Sequence, residues 1–141
     1  MSRPDPALLL PARYRFVHEL TTRFADLDPN DHINNVAMAA VFEDGRVRFQ
    51  ATIGFQRTEA LRPMVASVSI DYLAQAHYPG TLACYVGVAA IGRSSWTLQQ
   101  LVTQAGTAVG TCNTVIVMTD GQRATPLPAA FREVLEQWSL T

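Results

Sequence analysis

The residues best suited to chemistry are concentrated in one short stretch, Arg23-Phe-Ala-Asp-Leu-Asp-Pro-Asn-Asp-His-Ile-Asn-Asn35. It sets Asp26, Asp28, Asn30, Asp31, His32, Asn34 and Asn35 immediately before a run with helical spacing. Asx residues shape turns and cap helices because their side chains bond the nearby backbone. Three acids and a histidine within seven residues exceed what capping requires. A helix start offers unpaired N–H groups and partial positive charge, which polarise a carbonyl. Carboxylate and imidazole groups beside it can move protons or attack, so acyl transfer is the chemistry this combination suits.

Other candidates are more widely spread. Glu43 has apolar neighbours at helical spacing, Val36, Ala39, Ala40 and Val47, which would partly desolvate a carboxylate and make it a candidate general base. Pairing with Arg46, which would only fix the helix, explains it equally well. Arg93, Ser94 and Ser95 follow Gly92 at a hairpin position and could contact a phosphate, although Gly-Arg-Ser-Ser is also ordinary turn chemistry. His18 is expected to be a hydrogen-bonded core residue and His77 a turn residue.

Composition narrows the classes. The chain has 141 residues, 48% of them apolar and 16% charged, which suits one domain with a real core. A formal net charge of -1 supplies no footprint for nucleic acid or an anionic membrane. All eleven basic residues are Arg, so no lysine Schiff base is available and any phosphate must be met by Arg, N–H groups or hydroxyls. Cys84 and Cys112 lack metal or dithiol spacing and read as buried, reduced thiols. Ala7–Leu10 is too short for a secretory apolar region, and Leu82–Ile91 is too short to span a bilayer. A soluble, cytoplasmic protein is the expectation.

The elements that must hold these residues follow from periodicity. Alternation over Tyr14–Leu20 predicts a first strand. Asn34 or Asn35 predicts the cap of a long helix with Met38, Phe42, Gly45, Phe49 and Ile53 on one stripe and Gly54 at its end. Val68, Ile70 and Tyr72 predict a second strand, and Thr81–Ile91, Ser95–Thr103 and Thr107–Thr119 an antiparallel meander. Phe131, Val134, Leu135 and Trp138 predict a short C-terminal helix. The expected fold is α+β: a curled antiparallel sheet of about five strands around a central helix that is largely enclosed, one domain over 1–141 with an irregular segment at 1–12. Two free sheet edges imply an oligomer.

The run Asp-Leu-Asp28-Pro-Asn30-Asp-His32-Ile-Asn34-Asn35, followed by Phe42-Glu43-Asp-Gly-Arg46, resembles the hotdog-fold thioesterases. It is similar to the DxDxxGHxNN and FExxR signatures of the 4-hydroxybenzoyl-CoA thioesterase type, and equally to the DLDxNxHxNN signature of acyl-acyl-carrier-protein thioesterases. The likeness extends over most of residues 13–135. It implies a hotdog fold and hydrolysis of an acyl-CoA or acyl-carrier-protein thioester. Asp28 would be nucleophile or general base, with Asn30 and His32 orienting water, holding the carboxylate or bonding the thioester. Backbone N–H groups around Asn34, Asn35, Val36 and Met38 would polarise the carbonyl, with the acyl chain along the helix. No metal and no cofactor are implied: a site drawn from Asp26, Asp28, Asp31 and His32 lacks the glycine and bidentate glutamate of a calcium loop. A homodimer or homotetramer with the site at the subunit interface is implied as well. Asp31 replaces a common glycine, and Met38 stands where many relatives have tyrosine. A hotdog hydratase or dehydratase, and a non-catalytic acyl-thioester-binding protein, are the alternative readings.

Overall fold

The computed structural model describes residues 3–141. Its elements are β1 (Phe16–Thr21), α1 (Asn35–Thr52), β2 (Arg62–Tyr72), β3 (Thr81–Ile91), β4 (Ser95–Gln104), β5 (Thr107–Thr119) and α2 (Ala129–Gln137). The strands form one antiparallel sheet in the order β1-β3-β4-β5-β2. This is the expected hotdog architecture, with the meander β3-β4-β5 at its centre and α1 in its concavity. Strand β2 begins at Arg62, earlier than the alternation from Val68 indicates, because a register shift between Val65 and Ser67 breaks the period.

Helix α1 lies over the β1-β3-β4 half of the sheet. Met38, Val41, Phe42, Gly45 and Phe49 are its buried face, packed on Leu82, Cys84, Val86 and Val88 of β3. Glycine at 45 permits the close approach, since a Cβ there would stand 2.5 Å from Cys84 Sγ and 3.0 Å from Gln100 Nε2. Gln100, fully buried, donates to the Phe42 carbonyl at 2.9 Å and so ties the helix to the sheet. Both thiols are buried and free, and burial pushes that of Cys84 up to about 12.

Two expectations are corrected. The helix is not enclosed all round: Val36 is 74% exposed and Val47 62%, with Ala40 and Glu43 exposed between them on the same stripe. The cause is the off-centre seat of α1, which leaves the β5-β2 side of the concavity open. There the inward row of β2, Pro63, Val65, Val68, Ile70 and Tyr72, pairs with core residues of β5 yet is only partly covered: Val65, Val68 and Tyr72 are 46–52% exposed. The described part of the expected irregular segment, residues 3–12, is not wholly irregular either. Pro6–Leu9 and Pro11–Arg13 form 3-10 turns, and the Tyr14 hydroxyl donates to the Leu8 carbonyl at 2.7 Å. They help close the outer face of the sheet, where Leu101 is fully buried and Leu140 packs over Gly87. Met1 and Ser2 lie outside the described residues.

Candidate active site

The polar stretch before α1 is a cross-braced loop. Phe24–Asp26 form a 3-10 turn in which the Asp26 carboxylate accepts the Arg23 N–H at 2.9 Å and the Arg23 guanidinium at 2.8 and 3.2 Å. Burial opposes the charge of Asp26, but these Arg23 contacts outweigh it and hold the carboxyl below its ordinary range. One of the three acids is therefore spent on folding the loop. Leu27 and Ile33 then bridge in antiparallel fashion, and Ile33 and Asn34 donate to the carbonyls of Ala76 and Asp26.

The bridge closes a small turn around Asp28. Its Oδ1 accepts the N–H groups of Asn30 at 2.8 Å and His32 at 3.1 Å, while its own N–H donates to the His32 carbonyl at 2.8 Å. Asn30 and His32 thus hold the carboxylate through their backbones. The Asn30 side chain is exposed, and the His32 ring packs edge-on against His77 with centroids 5.3 Å apart. Asp31 sits at φ +61°, the left-handed region that a glycine would enter freely and that Asp tolerates better than most residues. The other oxygen, Oδ2, has no hydrogen-bond partner among the described residues.

Asn34 is the N-cap of α1: its Oδ1 accepts the Ala37 N–H at 2.7 Å. The N–H groups of Asn35 and Val36 have no intramolecular acceptor among the described residues, so the positive end of the helix dipole is open there. Asp28 and Asn35 line one groove of about 350 Å³, with Ile33, Met38, Tyr72, Leu73, Ala74, Gln75, Ala76 and Val109. A half-buried carboxylate with one free oxygen thus shares a cleft of mixed polarity with Asn35, the first residue of a helix start carrying two free donors.

The remaining candidates lie elsewhere in the chain. Asn34 is occupied as a cap, and the Val36 side chain points to solvent while its N–H remains available. Met38 is buried and forms part of the groove. Glu43 is exposed and makes no ion pair with Arg46, which is turned inward toward Gln100 Oε1 at 3.4 Å and Cys112 Sγ at 3.8 Å. Both line a separate cavity of about 250 Å³ further along α1. Arg93, Ser94 and Ser95 stand at the opposite end of β3 and β4, one ten-residue strand away or roughly 30 Å, with their carbonyls bound to Leu127, Met118 and Gly92. A single chain does not bring them to Asp28. His18 is half-buried on β1, 3.9 Å from Asp44, not in the core. His77 is a turn residue as expected, clamped by the Gln104 amide at 2.8 and 2.9 Å. Among the described residues no three His, Cys, Asp or Glu side chains are grouped to hold a metal. The groove wall from Tyr72 to Ala76 was missed by sequence reasoning, although Tyr72 was legible as an inward position at the end of the β2 alternation.

The Thioesterase-like superfamily matches residues 22–135, and the chain belongs to that family. Among solved structures it resembles a thioesterase from Thermus thermophilus, in complex with coenzyme A and Zn, with a TM-score of 0.81 and 30% identity over 89% of this chain and 95% of that one. It likewise resembles a predicted thioesterase from Bacillus stearothermophilus, with a TM-score of 0.78 and 27% identity over 89% and 97% of the two chains. It is 32% identical over 89 residues to the uncharacterized protein YsmA of Bacillus subtilis (strain 168). That alignment covers 62% of this chain and 60% of the relative, so the match spans about three fifths of the curated protein. Thioester hydrolysis is the reaction class that these likenesses support.

The left-handed backbone at Asp31 generates a prediction. Asp31→Gly should leave stability unchanged or raise it, whereas Asp31→Val should cost about 1–2 kcal/mol, the range for a strained left-handed residue. Urea denaturation of the two variants beside the parent chain measures both.

Proposed function

We propose that the protein hydrolyses an acyl-CoA or acyl-carrier-protein thioester to the free acid and thiol. One observation carries this reading: Asp28 and Asn35, the first residue of α1 and one whose N–H is free, line the same groove, with the free N–H of Val36 next along the helix start. A thioester carbonyl seated there points its oxygen at the two donors, which stabilise the oxyanion as the carbonyl carbon is attacked. With Asp28 as general base, its free oxygen takes a proton from water as the water oxygen bonds that carbon; the C–S bond then breaks and the leaving sulfur recovers the proton. With Asp28 as nucleophile, its free oxygen bonds the carbonyl carbon, the C–S bond breaks and the thiolate leaves, taking a proton from solvent; water then hydrolyses the anhydride so formed to the free acid and the Asp28 carboxylate. The coenzyme A bound by the Thermus thermophilus thioesterase supports a CoA substrate.

The open side of the concavity supports a second element of the proposal, a second copy of the chain. Strand β2 alternates apolar inward and mostly polar outward, a pattern that fits a covered face, yet Val65, Val68 and Tyr72 are open to solvent beside the exposed Val36–Val47 stripe of α1. An unpaired edge strand, an apolar trough and an apolar stripe on one molecule are the ingredients of a self-complementary two-fold interface. The groove adjoins that trough, so the site lies at the interface. In such an assembly the Arg93–Ser95 turn could meet a substrate phosphate only from another copy.

Two outcomes are expected. Asp28→Asn should keep the fold and lower kcat at least about 100-fold, the scale of a lost base or nucleophile, in a thiol-release assay over short, medium, long and aryl acyl-CoA esters. Near-normal turnover would overturn the role of Asp28. By light scattering the protein should be a dimer or larger at micromolar concentration, and Val68→Asp should shift it toward monomer with loss of turnover. A fully active wild-type monomer would remove the interface.

A further inference from the structure

Tyr72 ends β2, pairs with Gly110 and forms part of the wall of the Asp28 groove. Its hydroxyl donates to the Asn35 carbonyl at 3.2 Å. That carbonyl belongs to the same peptide unit as the Val36 N–H, one of the two free donors at the start of α1. A peptide unit is planar and resonance-coupled, so a hydrogen bond accepted at its oxygen draws density from its nitrogen and makes the N–H a stronger donor. The same bond fixes the plane of the peptide and so the direction in which the N–H points. The oxygen has a second lone pair for the ordinary helical bond from four residues on, so both contacts coexist.

We infer that Tyr72 is a positioning residue for hydrolysis, aiming and strengthening the Val36 N–H through the Asn35 carbonyl. This rests on the thioesterase reading above. Tyr72 also brings a hydroxyl to the groove from the sheet side, where Met38 of the helix supplies none. The Tyr72 contact is long for a hydroxyl donor, and the residue is 52% exposed, so water competes for it. A bound thioester that excludes this water strengthens the bond as the oxyanion develops, and its contribution therefore falls on the transition state more than on substrate binding.

The test is Tyr72→Phe, which removes the hydroxyl and keeps the ring as groove wall. On the best acyl-CoA ester of the screen, kcat should fall about five-fold, the scale of one hydrogen bond, with KM within about two-fold of the parent and no change in Tm. Without substrate, the Val36 amide proton resonance in a ¹H–¹⁵N spectrum should move upfield in the variant while the α1 resonances beyond the first turn stay in place. Unchanged kcat in an active enzyme overturns the inference whatever the spectrum shows, and so does a loss of kcat that comes with a rise in KM and a fall in Tm, the mark of a merely structural role. A wild-type protein inactive on every CoA and carrier-protein ester overturns the thioesterase reading itself, and this inference with it.

Discussion

The acceptance of two backbone N–H groups by one oxygen of Asp28 is the interaction on which the rest of the site depends. It curls residues 28–32 into a turn narrow enough for Leu27 and Ile33 to bridge, and the bridge delivers Asn34 to the position from which it caps α1. The contact that fixes the carboxylate thereby also fixes the start of the helix. Charge-assisted bonds to a carboxylate are roughly twice as strong as neutral ones, which suits a turn containing a left-handed, non-glycine residue at Asp31. Only one oxygen is used, and the other has no hydrogen-bond partner among the described residues.

The fold supplies a rigid frame for this small loop. Asp26 is locked to Arg23 on one side, and Ile33 is bonded to Ala76 on the other, where the Gln104 amide clamps the following turn. Gln100 and the close contact at Gly45 seat the helix over the β1-β3-β4 half of the sheet. That seat opens the other half, so the groove and the trough beside it are consequences of where the helix packs. A centred helix would have covered the inward row of β2 and left no cleft between Met38 and Tyr72.

Much of this was legible from residue order. Period-two and period-3.6 patterns located the strands and both helices, since each such element buries one face. A cap at Asn34 or Asn35 followed from their side chains, and the structure uses Asn34; tolerance of left-handed backbone at position 31 followed from its being Asp. Three things were not legible. Asn30 and His32 hold Asp28 through N–H groups that every residue but proline carries, so their side-chain identities do not reveal these contacts. The exposed stripe Val36–Val47 looked enclosed because apolar content says that a face is covered, not whether by the same chain. The Arg93–Ser95 turn seemed available to the site because spacing along a chain does not reveal which end of a sheet a hairpin occupies.

The central claim is that Asp28 and the free N–H groups at the start of α1 face one thioester carbonyl. The most direct measurement is a ¹H–¹⁵N titration of the protein with a non-hydrolysable acyl-CoA ketone analogue, in which a methylene group replaces the thioester sulfur. The account predicts that the Asn35 and Val36 amide protons move downfield on saturation, together with shifts at Asp28 and Tyr72. Saturable binding that leaves those amides unmoved, with shifts confined to another part of the chain, would contradict it.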